Sequence, residues 1–183
     1  KSTLLNIIAG LLEPTSGTVY LDGKPIEGTG MERGVVFQQY ALFPWRTVLK
    51  NVMFGPEMKK MPKNQAEEIA RKYIKAVGLE GFENSYPKEL SGGMKRRLSI
   101  ACALVENPPF LLMDEPTTAL DLYYKESIHQ WMKTYQQKNG IILMTTHDES
   151  EIRNADRCLF MDEGKVQELD AEDILQKFAG MSE

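Results

Sequence analysis

The apolar run Phe110-Leu111-Leu112-Met113 ends in two adjacent carboxylates, Asp114 and Glu115, followed by a proline. Read as a buried strand, it delivers both acids to its C-terminal end, the edge at which open α/β sheets bind ligands. Asp114 is there placed to hold Mg²⁺, directly or through water, and Glu115 to position and deprotonate an attacking water. The plainer reading is a carboxylate that caps a following helix, with a solvated neighbour.

A second segment carries phosphate logic. In Leu90-Ser91-Gly92-Gly93-Met94-Lys95-Arg96-Arg97 the two glycines let backbone approach an anion, and Ser91 offers a hydroxyl. The helix that follows presents free N–H groups and the positive end of its dipole. The alternative is an ordinary Ser-capped helix, but that gives no reason for an acidic strand end 23 residues after Ser91. Gln38 follows the apolar GVVF run, where a glutamine carbonyl can bind Mg²⁺ or its water. His147 ends the apolar run IILMTT, and a neutral imidazole there can hydrogen-bond a γ-phosphate. Taken singly, each reads first as a solvated or structural side chain. Lys1-Ser2-Thr3 fits the tail of G-x-x-x-x-G-K-[ST], in which the lysine reaches the β- and γ-phosphates and the next hydroxyl binds Mg²⁺. It fits a polar helix start as well.

The elements that must position these residues alternate. Spacing predicts a helix over 2–12, ended by EPTSG, and then a strand over TVYLDG with an Asp-Gly turn. A short strand follows at 35–37, and 48–78 reads as helical and polar, broken by Pro56 and Pro62. Met94, Leu98, Ala101, Cys102 and Val105 share one helical face. Residues 122–138 read as a helix, and 141–145 and 157–161 as apolar strands. Strands that are apolar throughout and separated by helices imply a parallel sheet covered on both faces.

Composition narrows the class. Hydrophobic residues make up 42% and charged residues 26%, the balance of a globular domain rather than a disordered chain. No apolar run reaches the roughly 18 residues of a membrane-spanning helix. A net charge of −4 gives no bulk electrostatic case for a nucleic-acid partner. Cys102 and Cys158 lie in apolar segments and read as reduced, buried thiols. The chain opens on Lys1 directly into a helical pattern without a cap, so we expect preceding strands to be missing.

Together these segments resemble the ABC transporter ATPase family across essentially the whole chain. In order they are the KST remnant of the phosphate loop, the glutamine loop at Gln38, the LSGG signature (90–93) and the Walker B strand LLMDE. The loop carrying Asp121 and the histidine loop at His147 complete the set. The resemblance implies an α/β P-loop NTPase core with a mostly parallel sheet (1–47 and 106–183) and a helical signature subdomain (48–105). It implies ATP and Mg²⁺ as cofactors. Glu115, His147 and Gln38 would be catalytic; Lys1, Ser2, Thr3, Ser91, Gly92, Gly93 and Asp121 would bind nucleotide; and Ser2, Gln38 and Asp114 would hold the metal. It further implies a head-to-tail dimer with ATP between the KST of one subunit and the signature of the other. The dimer would act on a transmembrane permease, and indirectly a substrate-binding protein, at the cytoplasmic face of the membrane. With most of the phosphate loop absent, the fragment itself is expected to bind little ATP.

Ala41 to Val48, ALFPWRTV, looks like the stretch found in importers of nitrate, sulfonates and taurine. Two features depart from the pattern. Met94 stands where the signature commonly has glutamine, and Thr117-Thr118 stands where this subgroup often has Phe-Gly. The alternatives are an exporter of the same fold or a soluble ABC ATPase. The latter usually carries two cassettes or a long coiled-coil insertion, and neither pattern is present.

Overall fold

The computed structural model describes residues 1–118 and 120–180, which form two compact units. The larger comprises residues 2–144; the smaller comprises Lys1 and the segment from Thr145 onward.

The larger unit is built on a sheet of order β3-β4-β5, with β3 at Arg33–Val36, β4 at Phe110–Asp114 and β5 at Ile141–Thr145. β3 and β4 run parallel, with Val36 beside Met113. Alternation along β4 explains why every residue of FLLM is apolar. Leu111 and Met113 enter a large core with α2 (Val48–Met58), α3 (Lys63–Ala76), α4 (Gly92–Leu104) and α5 (Leu122–Gln137). Leu112 faces the other way, onto Leu5 and Ala9 of the α1 segment (Ser2–Ile8 and its C-cap). All three are fully buried, each worth about 1.5–3 kcal/mol relative to exposure.

Three expected boundaries shift. The first helix ends at Ile8, not near residue 12, because Gly10 at φ +75° closes a Schellman cap. In that cap Gly10 N donates to Ile7 O at 3.0 Å and Leu11 N to Asn6 O at 2.9 Å. The TVYLDG strand shrinks to β1 (Tyr20–Leu21), paired antiparallel with β2 (Lys24–Pro25) across Asp22-Gly23. Both turn residues have positive φ, the geometry Asp-Gly favours. Pro56 does not break α2 but lies buried in its last turn, two residues before the helix ends at Met58. Pro62 caps α3 instead.

In the smaller unit α6 (Glu149–Arg153) is followed by β6 (Cys158–Asp162), which is not part of the parallel sheet. It pairs antiparallel with β7 (Lys165–Leu169) through a turn with Glu163 at φ +45° and Gly164 at φ +76°. Helix α7 (Ala171–Gly180) places Ile174 against Ile152 and Phe160 to form that unit's core. Among the described residues no helix is long and apolar enough to cross a membrane.

Candidate nucleotide site

In the larger unit the parallel register brings three of the expected residues to one sheet edge. Val36 and Met113 are the last paired positions, so Asp114 and Glu115 leave β4 where Gln38 leaves β3. Asp114 is half-buried at the strand end. Glu115 sits at φ +47°, a left-handed conformation that costs a non-glycine residue roughly 1–2 kcal/mol. The residue before proline is already discouraged from right-handed helical geometry. A turn from Glu115 to Thr118, closed by Thr118 N donating to Glu115 O at 3.4 Å, holds the strained position. The Thr118 hydroxyl also donates to Glu115 Oε2 at 3.3 Å. Backbone strain of this kind collects where a side chain must be aimed.

The signature segment forms the start of α4. Ser91 is its N-cap, accepting from Met94 N at 3.3 Å. Ser91 thus caps the helix, the plainer of the two readings. Because Ser91 Oγ accepts from the helix, its own hydrogen remains a donor for an anion. Gly92 and the serine are exposed at that helix end, and Gly93 is half-buried. Asp121 takes a parallel role at the next helix, capping α5 by accepting from Tyr124 N at 3.1 Å. Ala119, in the same loop, lies outside the described residues. Ser2 and Thr3 open α1 and are exposed.

The smaller unit joins two further candidates. Lys1 Nζ lies 3.2 Å from His147 Nε2, within hydrogen-bond distance. The His147 ring lies 5.7 Å from that of Phe178 on α7, and Lys1 stands 6.0 Å from the same aromatic ring.

Sequence reasoning missed several residues that shape these features. Arg97, buried, donates to the carbonyls of Val77 and Gly78, each at 2.8 Å, with its guanidinium 3.5 Å from the Tyr124 ring centre. Asn51, also buried, binds the 43–47 segment. It accepts from Phe43 N at 2.9 Å and donates to the carbonyls of Phe43, Arg46 and Thr47. Phe43 meets Phe54 edge-on at 4.6 Å, and Trp45 remains 72% exposed beside it. No local signal marks the arginine, which looked like one more charge in MKRR. Asn51 carried a weak hint, a polar residue on the buried face of α2.

A parallel sheet with acids at its carboxyl edge, flanked by a serine-capped glycine helix, has the architecture of a P-loop NTPase. Two solved structures carry the likeness further: a dimeric ATP-binding cassette in a post-hydrolysis state bound to ADP and Pi, and a dimeric bacterial ABC transporter cassette. They superpose with TM-scores of 0.84 and 0.85 at 35% identity, over 93% of this chain and 80% of each of theirs. Residues 1–118 match the family model described as ABC transporter. The chain belongs to the ABC transporter family.

Among curated relatives, an uncharacterized ABC transporter ATP-binding protein of Methanocaldococcus jannaschii is 50% identical over 92% of this chain and 65% of its own length. The nitrate import ATP-binding protein NrtD of Synechocystis sp. is 49% identical over 82% of the chain and 57% of its own. The taurine import ATP-binding protein TauB of Yersinia pestis is 43% identical over 91% of the chain and 66% of its own. The chain thus spans about 57–66% of the length of these relatives.

Proposed function

We propose that this chain is the ATP-hydrolysing part of an importer subunit that drives a small solute, of the nitrate, sulfonate or taurine type, through a membrane permease. The observation that carries the reading is Glu115. It is held in a strained conformation beside Asp114, at the sheet edge where Gln38 also emerges.

The donor set fits the nucleotide and its metal. Asp114, Gln38 and Ser2 supply the oxygen ligands Mg²⁺ prefers, and the cation would neutralise charge on the phosphate oxygens. Lys1, Ser2 and Thr3 bind the phosphates of one nucleotide. Ser91, Gly92 and Gly93 of a second copy close over it, and the carboxylate that caps α5, Asp121, lines the same interface. Glu115 takes a proton from the attacking water, and His147 hydrogen-bonds the γ-phosphate.

Residues 48–105 serve as the signature subdomain against a core of 1–47 and 106–183. The subunit works peripherally on the cytoplasmic membrane face, in a head-to-tail dimer, with a separate binding protein choosing the solute. Support for permease docking comes from the 43–47 segment, which Asn51 holds in a fixed shape with Trp45 exposed.

The test is ATP turnover by the full-length protein with and without its co-purifying membrane partner. We expect a permease to copurify and nitrate-, sulfonate- or taurine-dependent turnover to appear in vesicles. Outward movement of solute would favour an exporter, and recovery with ribosomes or DNA would favour a soluble ATPase; either overturns the import reading.

A further inference from the structure

Arg96 lies on the first turn and a half of α4, is only 5% exposed, and reaches away from its own helix. Nη1 donates to the carbonyl of Phe37 at 2.6 Å and Nη2 to that of Gln38 at 2.8 Å. The guanidinium lies 5.3 Å from the Tyr40 ring centre. A Cβ on Gly92 would stand 3.3 Å from the Tyr40 hydroxyl, so the same loop also meets the glycine that opens the helix. Among the described residues its partners are two carbonyls and a ring face, none of them a carboxylate, so charge balance does not account for burying this cation. Geometry does. A planar fork gripping two successive carbonyls fixes the two peptide units on either side of Gln38 relative to each other.

We infer that Arg96 is a positioning residue that locks the glutamine loop to the signature helix within one subunit, so that Gln38 and Ser91 move together. This rests on the reading of Gln38 and Ser91 as nucleotide-site residues. Contact of the signature with a nucleotide held by one copy would then be passed through Arg96 to the Gln38 of the other, which faces its own nucleotide. A subunit whose signature is unengaged would not present Gln38 correctly. Lysine at this position keeps the charge but lacks the planar two-nitrogen fork, so it does not fix the geometry of the two carbonyls.

The test combines a double-mutant cycle with hydrogen exchange on the full-length protein. Arg96→Lys should lower kcat at saturating ATP by about tenfold with KM for ATP changed less than about twofold, the pattern of a misaligned group rather than a lost ligand. In a Gln38→Ala background the same substitution should cost nothing further. Amides of residues 38–42 should exchange at least about tenfold faster in Arg96→Lys, while those of α2 keep their rates. If the two substitutions multiply instead, Arg96 acts through something other than Gln38 and the inference fails while the site reading stands. If Gln38→Ala alone leaves turnover native, the reading of Gln38 fails and takes the inference with it. Should Arg96→Lys not fold, Arg96→Gln with the exchange measurement decides: unchanged exchange at 38–42 overturns the tether.

Discussion

Thr118 donates its hydroxyl to Glu115 Oε2 at 3.3 Å, while its backbone N–H reaches back to the Glu115 carbonyl at 3.4 Å. One residue thus holds both the strained backbone and the carboxylate of the proposed base. Glu115→Gln keeps the shape and removes the proton acceptor, so turnover should fall by about 10²–10⁴-fold while ATP still binds and the dimer still forms. Thr118→Val deletes only the hydroxyl and should cost a few-fold, about 1 kcal/mol of orientation. Single-turnover hydrolysis separates chemistry from binding; near-native rates in Glu115→Gln would remove Glu115 from the role.

Ser91 has two duties that different substitutions can separate. Its Oγ caps α4 at Met94 N, and its hydrogen is free to serve an anion. Ser91→Ala should lose about 1 kcal/mol of stability with the cap. Ser91→Asp keeps the cap and favours the helix dipole, so its denaturation midpoint should match or exceed that of the parent. Yet it sets a negative charge where the phosphates would lie, and ATP-dependent dimerisation on size-exclusion chromatography should vanish. A stable Ser91→Asp protein that still dimerised with ATP would leave Ser91 as a cap alone.

The end of α1 makes a sharper stability prediction than its length suggests. Gly10 has φ +75°, and a Cβ there would run into the backbone carbonyl of Gly28. Gly23 has the same φ with open space around it. Gly23→Ala should therefore cost only the left-handed term, about 1–2 kcal/mol. Gly10→Ala adds a clash with backbone that cannot rotate away, bringing the loss to about 3 kcal/mol or more. Equal losses in chemical denaturation would mean the Gly10–Gly28 approach is not rigid.

What the sequence made legible was local or periodic. Ser91 before a helical pattern, FLLM before Asp-Glu, and Asp22-Gly23 between short strands each carry their meaning within a few residues. β6 was misassigned because an apolar run looks the same in parallel and antiparallel pairing. The deciding signal was the Glu163-Gly164 turn, which sends the chain back as β7 beside β6. Arg96 and Arg97 were opaque for a different reason. Arg96 finds its carbonyls 59 and 58 residues away, and Arg97 finds its own 20 and 19 away. Only the packing of α4 against the β3 exit and the α3 terminus makes Arg96 a two-nitrogen fork and lets one nitrogen of Arg97 bridge two carbonyls. Likewise Lys1 and His147, read separately as phosphate ligands, are 146 positions apart in the chain and 3.2 Å apart in space.

Cys102 provides a pH-dependent test of the main core. Burial among apolar side chains, with the Glu106 carboxylate adding to it, pushes its thiol up to about 12. Burial also raises Tyr73 and Tyr135 above the usual phenol range. All three are acids whose neutral form the fold prefers. The stability they contribute is present below the ordinary pKa of each and is lost as pH climbs from there toward the raised folded value. Unfolding midpoints should accordingly be flat to about pH 8.5 and then fall, by at most about 1.4 kcal/mol per unit for the thiol alone. At pH 8.5 the folded protein should carry Cys102 as a protonated thiol, unreactive to iodoacetamide until denaturant opens the core. Cys158, at the edge of the smaller unit and raised by burial and by Asp170, is surrounded less completely and should be labelled first. Mass spectrometry of the labelled peptides across a urea series gives the order, and prompt native-state labelling of Cys102 would show that α4 does not hold the closed core described here.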